Sequence, residues 1–158
     1  MVFRTRALLA GATLPSCVLV ATGLPWPARV ALIAVATLCC AQLARRADLR
    51  VRTVVAAIGV VLLVAVAFPP RESHDLWSYV EYGRILGVHG MSPYLHTPSQ
   101  FSGDPFLHLA GWRTTPSVYG PAFNVFAALG AILGGHSMLL VRLWHQLSAA
   151  GALTAVLA

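Results

Sequence analysis

An all-α fold built on several membrane helices is what this sequence predicts, and three observations predict it. Hydrophobic residues fill 58% of the 158 positions and charged ones only 10%, against about 25% charged residues in ordinary soluble domains. Mean hydropathy is +0.73. The apolar residues gather into five runs separated by polar or proline-bearing connections, and the arginines collect at particular ends of those runs. The bilayer is therefore the expected solvent.

The runs can be taken in order. Residues 7–22, 28–44 and 53–68 each lie near the lower limit of ~17 residues for a helix that crosses the hydrocarbon core. Pro69-Pro70 ends the third, because proline lacks an amide N–H and pushes the residue before it out of the helical region. A polar stretch over 69–118 follows, and then two more apolar runs, 119–133 and 138–158. The expected organisation is three membrane helices in 1–68, an extracytoplasmic loop in 69–118, and two membrane helices in 119–158. The last run has no cap, basic flank or polar tail, so the chain reads as the N-terminal part of a longer protein. Arg4 and Arg6 precede an apolar stretch, and Leu14-Pro15-Ser16-Cys17 has some likeness to a lipoprotein cleavage box. Pro15 fits such a box badly and further apolar runs follow at once, which favours an uncleaved anchor.

Charge placement sets the orientation. Net charge is +6 and all eleven basic residues are Arg, scattered among apolar runs in the way that reports topology and not nucleic-acid binding. Arg4 and Arg6 precede the first run and Arg45, Arg46, Arg50 and Arg52 fill the second connection, so the positive-inside rule puts the N-terminus and that connection in the cytoplasm. Region 69–118 then faces outward and the short connection 134–137 faces inward. Localisation in the cytoplasmic membrane, with several passes, follows. Cys17, Cys39 and Cys40 all lie inside apolar runs and give neither a disulfide framework nor a metal-binding spacing.

Chemistry has its place in the outward region. Ser73 is suited to cap a short helix over 74–86, ended by Gly87 or Gly90. At 100° per residue Leu76, Val80, Gly83 and Gly87 share one face, and Asp75, Tyr79 and Tyr82 line the adjacent stripe. Such a helix can lie along the membrane interface with Trp77 and the Tyr rings as anchors. Asp75 in its first turn either stabilises the helix dipole or acts chemically, an acid beside a bilayer being costly to keep. Arg84 is expected to pair with Glu81 at i+3. His74, His89, His96 and His108 share no compact ligand spacing and read as solvated loop residues without a metal. Arg142, His145 and Gln146 form a polar stripe in the last run, where Arg142 sits close enough to the cytoplasmic end to snorkel, on the far side from Asp75.

Three ordered blocks carry a resemblance. They are His74-Asp75-Leu76-Trp77-Ser78-Tyr79-Val80-Glu81-Tyr82-Gly83-Arg84, then His89-Gly90-Met91-Ser92-Pro93-Tyr94, then Trp112-Arg113-Thr114-Thr115-Pro116-Ser117-Val118-Tyr119-Gly120-Pro121. Together, over residues 72–121, they resemble bacterial polyprenol-phosphomannose-dependent mannosyltransferases, and among these the actinobacterial alpha-1,6-mannosyltransferases of the multi-spanning C-type glycosyltransferase superfamily. The resemblance implies that Asp75 is the acid that takes a proton from the acceptor sugar hydroxyl, which then attacks the anomeric carbon of a polyprenyl-phosphate mannose with inversion. Positioning and charge stabilisation would do most of the work. In that setting Tyr79 and Tyr82 either contact sugars or anchor at the interface, and Arg113 either pairs with the donor phosphate or flanks a membrane entry. Tyr119, with Gly120 and Pro121, either shapes the sugar or lipid-phosphate site or simply opens a helix.

The partners implied are the lipid-linked sugar donor, a glycan or glycolipid acceptor and the bilayer, with no cofactor and no metal. Leu76-Trp77 after the acid departs from the commoner pattern of that family, and the helices that should complete the donor groove are not in this stretch, so this piece alone is expected to be inactive. Donor sugar, acceptor and linkage stay open, as does a relative using another sugar or acceptor. The competing class is a non-enzymatic transport, channel or scaffold subunit. Inverted internal repeats would favour transport, and the first three runs do not resemble the last two.

Overall fold

The computed structural model of the protein describes residues 2–45, 50–71 and 73–157. Arg46, one of the arginines used for orientation, lies outside the described residues, and so does Glu72 at the start of the resembling region. Among the described residues regular structure is helical throughout: α1 (Val2–Ala21), α2 (Trp26–Ala44), α3 (Val51–Ala67), α4 (Asp75–Gly87), a 3-10 turn at Pro98–Gln100, α5 (Pro121–Gly134) and α6 (Met138–Leu157). Each expected run is found as a helix, with ends moved by a few residues. The chain divides into two compact units, Met1–Pro69 and Pro70–Val156.

In the first unit α1 packs against both α2 and α3. Gly11 permits the close approach of α1 and α2, because a Cβ there would fall 2.6 Å from Sγ of Cys39. Thr13 and Ser16 turn their hydroxyls back onto the Leu9 and Ala12 carbonyls at 2.8 Å, the usual way a hydroxyl is satisfied inside an apolar helix. Most apolar side chains face outward: Leu14, Trp26, Leu38 and Leu63 are all more than 60% exposed. α2 is the one described helix that is both long and apolar enough to cross a membrane, with mean hydropathy 1.7 over its window and only 6% of that window buried.

The second unit has a packed interior. Two small-residue patterns build it, each letting helix backbones approach closely. Gly83 and Gly87 of α4 face α5, where a Cβ on Gly83 would overlap the Ala127 carbonyl and one on Gly87 would lie 2.9 Å from the Ala128 carbonyl. Gly130 and Gly134 of α5 face α6, lying under the Trp144 ring and against Val141. Tyr79 meets Phe123, and Gly83 meets Ala127, so α4 and α5 run in the same direction. Trp77, Val80, Phe106 and Val141 form the core, with Leu76 and Leu109 against it and the Trp77 and Phe106 rings stacked at 6.1 Å.

That packing corrects the expectation of an interfacial helix. α4 buries Trp77, Ser78, Val80, Glu81, Tyr82, Gly83, Arg84 and Ile85, and Trp77 and Tyr82, expected as interface anchors, are only 5% and 1% exposed. The reason is the complementary small-residue surface of α5, which a reading of α4 by itself does not supply. A second difference concerns α5, the expected fourth span. Its 14 residues extend about 21 Å, short of the ~30 Å hydrocarbon core.

Candidate active site

Asp75 opens α4, its backbone N–H donating to Ser73 Oγ at 3.2 Å. Ser73 thus caps the amide as expected, although His74 occupies the formal cap position. The carboxylate is half-buried, and its Oδ1 accepts the indole N–H of Trp112 at 3.0 Å. One turn on, the Tyr79 ring meets Tyr119 edge-on at 5.1 Å, and the Tyr119 hydroxyl donates to that of Tyr79 at 3.3 Å. Tyr82, another turn inward, donates to the Thr115 carbonyl at 3.0 Å and lies 6.3 Å from the Tyr119 ring. Asp75, Tyr79, Tyr82 and Tyr119 are therefore gathered in one place, at the end of the unit where α4 and α5 both begin.

The tyrosines are hydroxyl donors here. The hydrogen bond with Tyr119, then burial, then the nearby Asp75 push Tyr79 up to about 12, and burial followed by Tyr119 raises Tyr82. Neither is a phenolate at physiological pH. Asp75 enters the cluster as the acceptor of the Trp112 indole N–H.

Arg113 stands one residue from Trp112 but braces its own loop, donating from Nε to the Ala110 carbonyl at 2.9 Å and from Nη2 to the His108 carbonyl at 2.6 Å. It makes no described contact with Asp75, Tyr79 or Tyr119. Three supporting residues escaped sequence reasoning. Ser78, 1% exposed, accepts the backbone N–H groups of Gly111 and Trp112 at 3.2 and 3.1 Å. Ser117 donates to Asn124 Oδ1 at 2.9 Å, and Asn124 donates to the Tyr119 carbonyl at 3.2 Å, fastening Tyr119 to α5. The signal for Asn124 was present: an amide one turn into an otherwise apolar helix needs an internal partner.

A second polar cluster lies on the inner side of α4. Arg84, expected to pair with Glu81, instead grips Asp104 through Nε at 2.8 and 2.6 Å, donates from Nη1 to the Gly135 carbonyl at 2.8 Å, and sits 5.2 Å over the Phe106 ring. An i+3 pair forms on an exposed helix surface, whereas this face is covered by the loop that carries Asp104. Burial raises Asp104, but hydrogen bonds from Arg84, His89 and the Phe106 amide outweigh it and hold the carboxyl below its ordinary value.

Glu81 behaves in the opposite way. Both of its carboxyl oxygens are buried without a donor, and burial, then the Asp104 carboxylate, push it up to about 8. An ionised Glu81 would be a buried charge without a hydrogen-bond partner, which favours the protonated form.

Three of the four loop histidines are more engaged than solvated residues, while His108 is exposed as expected. His74 Nδ1 lies 2.8 Å from the Leu109 carbonyl, His96 Nδ1 2.9 Å from Gln100 Oε1, and His89 Nε2 3.1 Å from Asp104 Oδ2 while its ring stacks on Phe101. No group of three or more His, Cys, Asp or Glu placed to hold a metal occurs among the described residues. The stripe on α6 is not remote from α4 either: His145, 8% exposed, lies 6.4 Å from the Tyr79 ring, and Arg142 is buried, not snorkelling. α6 returns antiparallel along α5, which brings its second turn level with Tyr79.

A helical domain with a carboxylate and hydroxyl donors at one rim is of the class that can bind a sugar and take a proton from it. Comparison with known proteins gives the class its name. Residues 4–158 match the family model described as alpha-(1->6)-mannopyranosyltransferase, N-terminal domain. The chain belongs to this family of mannosyltransferases, whose reaction requires a sugar donor and an acceptor. No curated protein and no solved structure gives a match.

Proposed function

We propose that this domain supplies the catalytic base of a glycosyltransferase that moves mannose from a polyprenyl-phosphate donor to a glycan or glycolipid at the outer face of the cytoplasmic membrane, with inversion. The observation that carries the reading is Asp75 itself: a carboxylate at a helix start, half-exposed, accepting the Trp112 indole N–H and standing one turn before Tyr79, whose hydroxyl meets that of Tyr119. A carboxylate at such a rim can accept the acceptor's hydroxyl proton as that oxygen attacks C1 of the donor sugar. The phosphate is a good leaving group, so one base suffices. Tyr79, whose hydroxyl accepts from Tyr119, donates its own proton to a sugar oxygen, and Arg113, exposed at the surface, has N–H groups beyond those that brace its loop to offer the donor phosphate. No cofactor or metal takes part in this scheme.

The membrane setting belongs to the same proposal. α1, α2 and α3 cross the bilayer with the N-terminus in the cytoplasm, and the outward apolar side chains of the first unit support this, since water would leave them unpartnered. α5 stays on the outer side with α4. In support, it is too short to cross, and Arg84 joins the Gly135 carbonyl at its far end to Asp104 of the outward loop. In this proposal connection 134–137 lies outside, where the sequence alone suggests an inward position.

Replacing Asp75 by Asn in the full-length protein tests the base. Transfer from polyprenyl-phosphate mannose is expected to fall by at least ~100-fold, the usual scale of general-base catalysis, with insertion into the membrane unchanged. Transfer at the wild-type rate would remove Asp75 from the mechanism.

A further inference from the structure

Trp112 is an unusual tryptophan for this chain. It lies in the loop between α4 and α5, is 44% exposed, and yet is fixed at both ends. Its indole N–H donates to Asp75 Oδ1 at 3.0 Å, and its backbone N–H donates to Ser78 Oγ at 3.1 Å. Ser78 also accepts from Gly111 at 3.2 Å and donates to the His74 carbonyl at 3.3 Å. Gly111 lies so close to His74 that an added Cβ would meet the His74 Cβ at 3.0 Å, so the loop is seated directly on the first turn of α4. Arg113 closes the other side by holding the Ala110 and His108 carbonyls. A tryptophan that only anchored a protein in an interface would need none of this. Its ring would face lipid, and its N–H would find a headgroup or water.

We infer that Trp112 is the positioning residue of the Asp75 base and that the exposed face of its indole is the platform on which the acceptor sugar rests. The inference rests on the reading of Asp75 as the base. With Oδ1 occupied by the indole N–H, Oδ2 is the oxygen turned to the acceptor. As the acceptor O–H breaks, its proton passes to Oδ2. The freed oxygen forms its bond to C1 of the donor mannose, and the C1–O bond to phosphate breaks with its electron pair leaving on the phosphate. The hydrogen bond fixes the plane of the carboxylate, and the ring beside it sets the depth at which a hexose can approach, its C–H face on the indole and its hydroxyl edge toward Oδ2. One side chain thus controls both the aim of the base and the seat of the acceptor.

The test uses the full-length transferase in membranes, a polyprenyl-phosphate mannose donor and an alkyl alpha-mannoside acceptor. Trp112→Phe keeps the ring and removes the N–H. The expected result is a fall in kcat of roughly tenfold, the value of one hydrogen bond to a charged group, with the acceptor KM unchanged. Trp112→Ala removes the ring as well and should also raise the acceptor KM several-fold, while the donor KM stays at the wild-type value. Trp26→Phe, on the exposed surface of the first unit, serves as the unaffected control.

Wild-type kcat and KM in both Trp112 variants, with Asp75→Asn inactive, would overturn the inference and leave the base standing. Equal losses of activity toward donor and acceptor would also overturn it, as the mark of a merely structural role. If Trp112→Ala fails to insert, Trp112→Phe and Trp112→Tyr decide the matter, and an unchanged kcat in both refutes it. An active Asp75→Asn would sink base and platform together.

Discussion

Replacing Glu81 by Gln should stabilise the protein at pH 8 and leave it nearly unchanged at pH 5. Glu81 is 1% exposed, its oxygens meet no donor, and its pKa in the fold is about 8 against an ordinary 4.5. Below pH 4.5 the carboxyl is protonated whether the chain is folded or not, and it costs the fold nothing. Between 4.5 and 8 the unfolded chain gains free energy by releasing the proton while the folded one holds it, so stability declines with rising pH until the folded pKa is passed. At ~1.4 kcal/mol per unit, the loss at pH 7 is on the order of 3 kcal/mol relative to acid, or roughly 5–10 °C in Tm for a domain of this size. Gln does not titrate, so it carries no such pH-dependent cost. Melting wild type and Glu81→Gln in detergent at pH 5 and pH 8 measures the effect. Parallel pH profiles for the two proteins would refute the reasoning, as would a less stable Glu81→Gln at pH 8.

Two further outcomes follow from the packing. Gly83→Val should separate α4 from α5, because the added Cβ overlaps the Ala127 carbonyl and backbone cannot yield as a flexible side chain can; the expected loss of ~3 kcal/mol is at the severe end for overpacking, and an unchanged Tm would contradict the close approach. With Cys17, Cys39 and Cys40 replaced, a single cysteine at position 136 should react with an impermeant thiol reagent added outside intact cells, as should one at position 95 in the loop. Labelling at 95 without labelling at 136 would restore the crossing of the membrane by α5.

Local chemistry was enough for much of the helical layout. Long apolar runs, Pro69-Pro70, Pro121 at the first turn of α5 and Gly134-Gly135 at its end each act on their own neighbours, so α1 to α6 could be drawn with errors of a few residues. The same holds for Asp75 and Tyr79 on one stripe of α4. Asn124 could have been added from sequence, and Ser78 could not, since its partners are the amides of Gly111 and Trp112.

What the sequence by itself determined, then, is the helical class, the places where helices start and stop, and the position of the acid that resemblance to a known family had marked. These depend on interactions within a few residues, and they survive whatever the rest of the chain does. Only the tertiary structure decided that α4 is buried and not laid on an interface, that Arg84 turns from Glu81 to Asp104, and that Trp112 comes to rest on Asp75. The physical reason is common to all three. A buried side chain answers to the surface that covers it, and the covering surfaces here, the small residues of α5 and the loop between α4 and α5, come from chain segments 20 or more positions away. No helical period records where a distant loop will fold back.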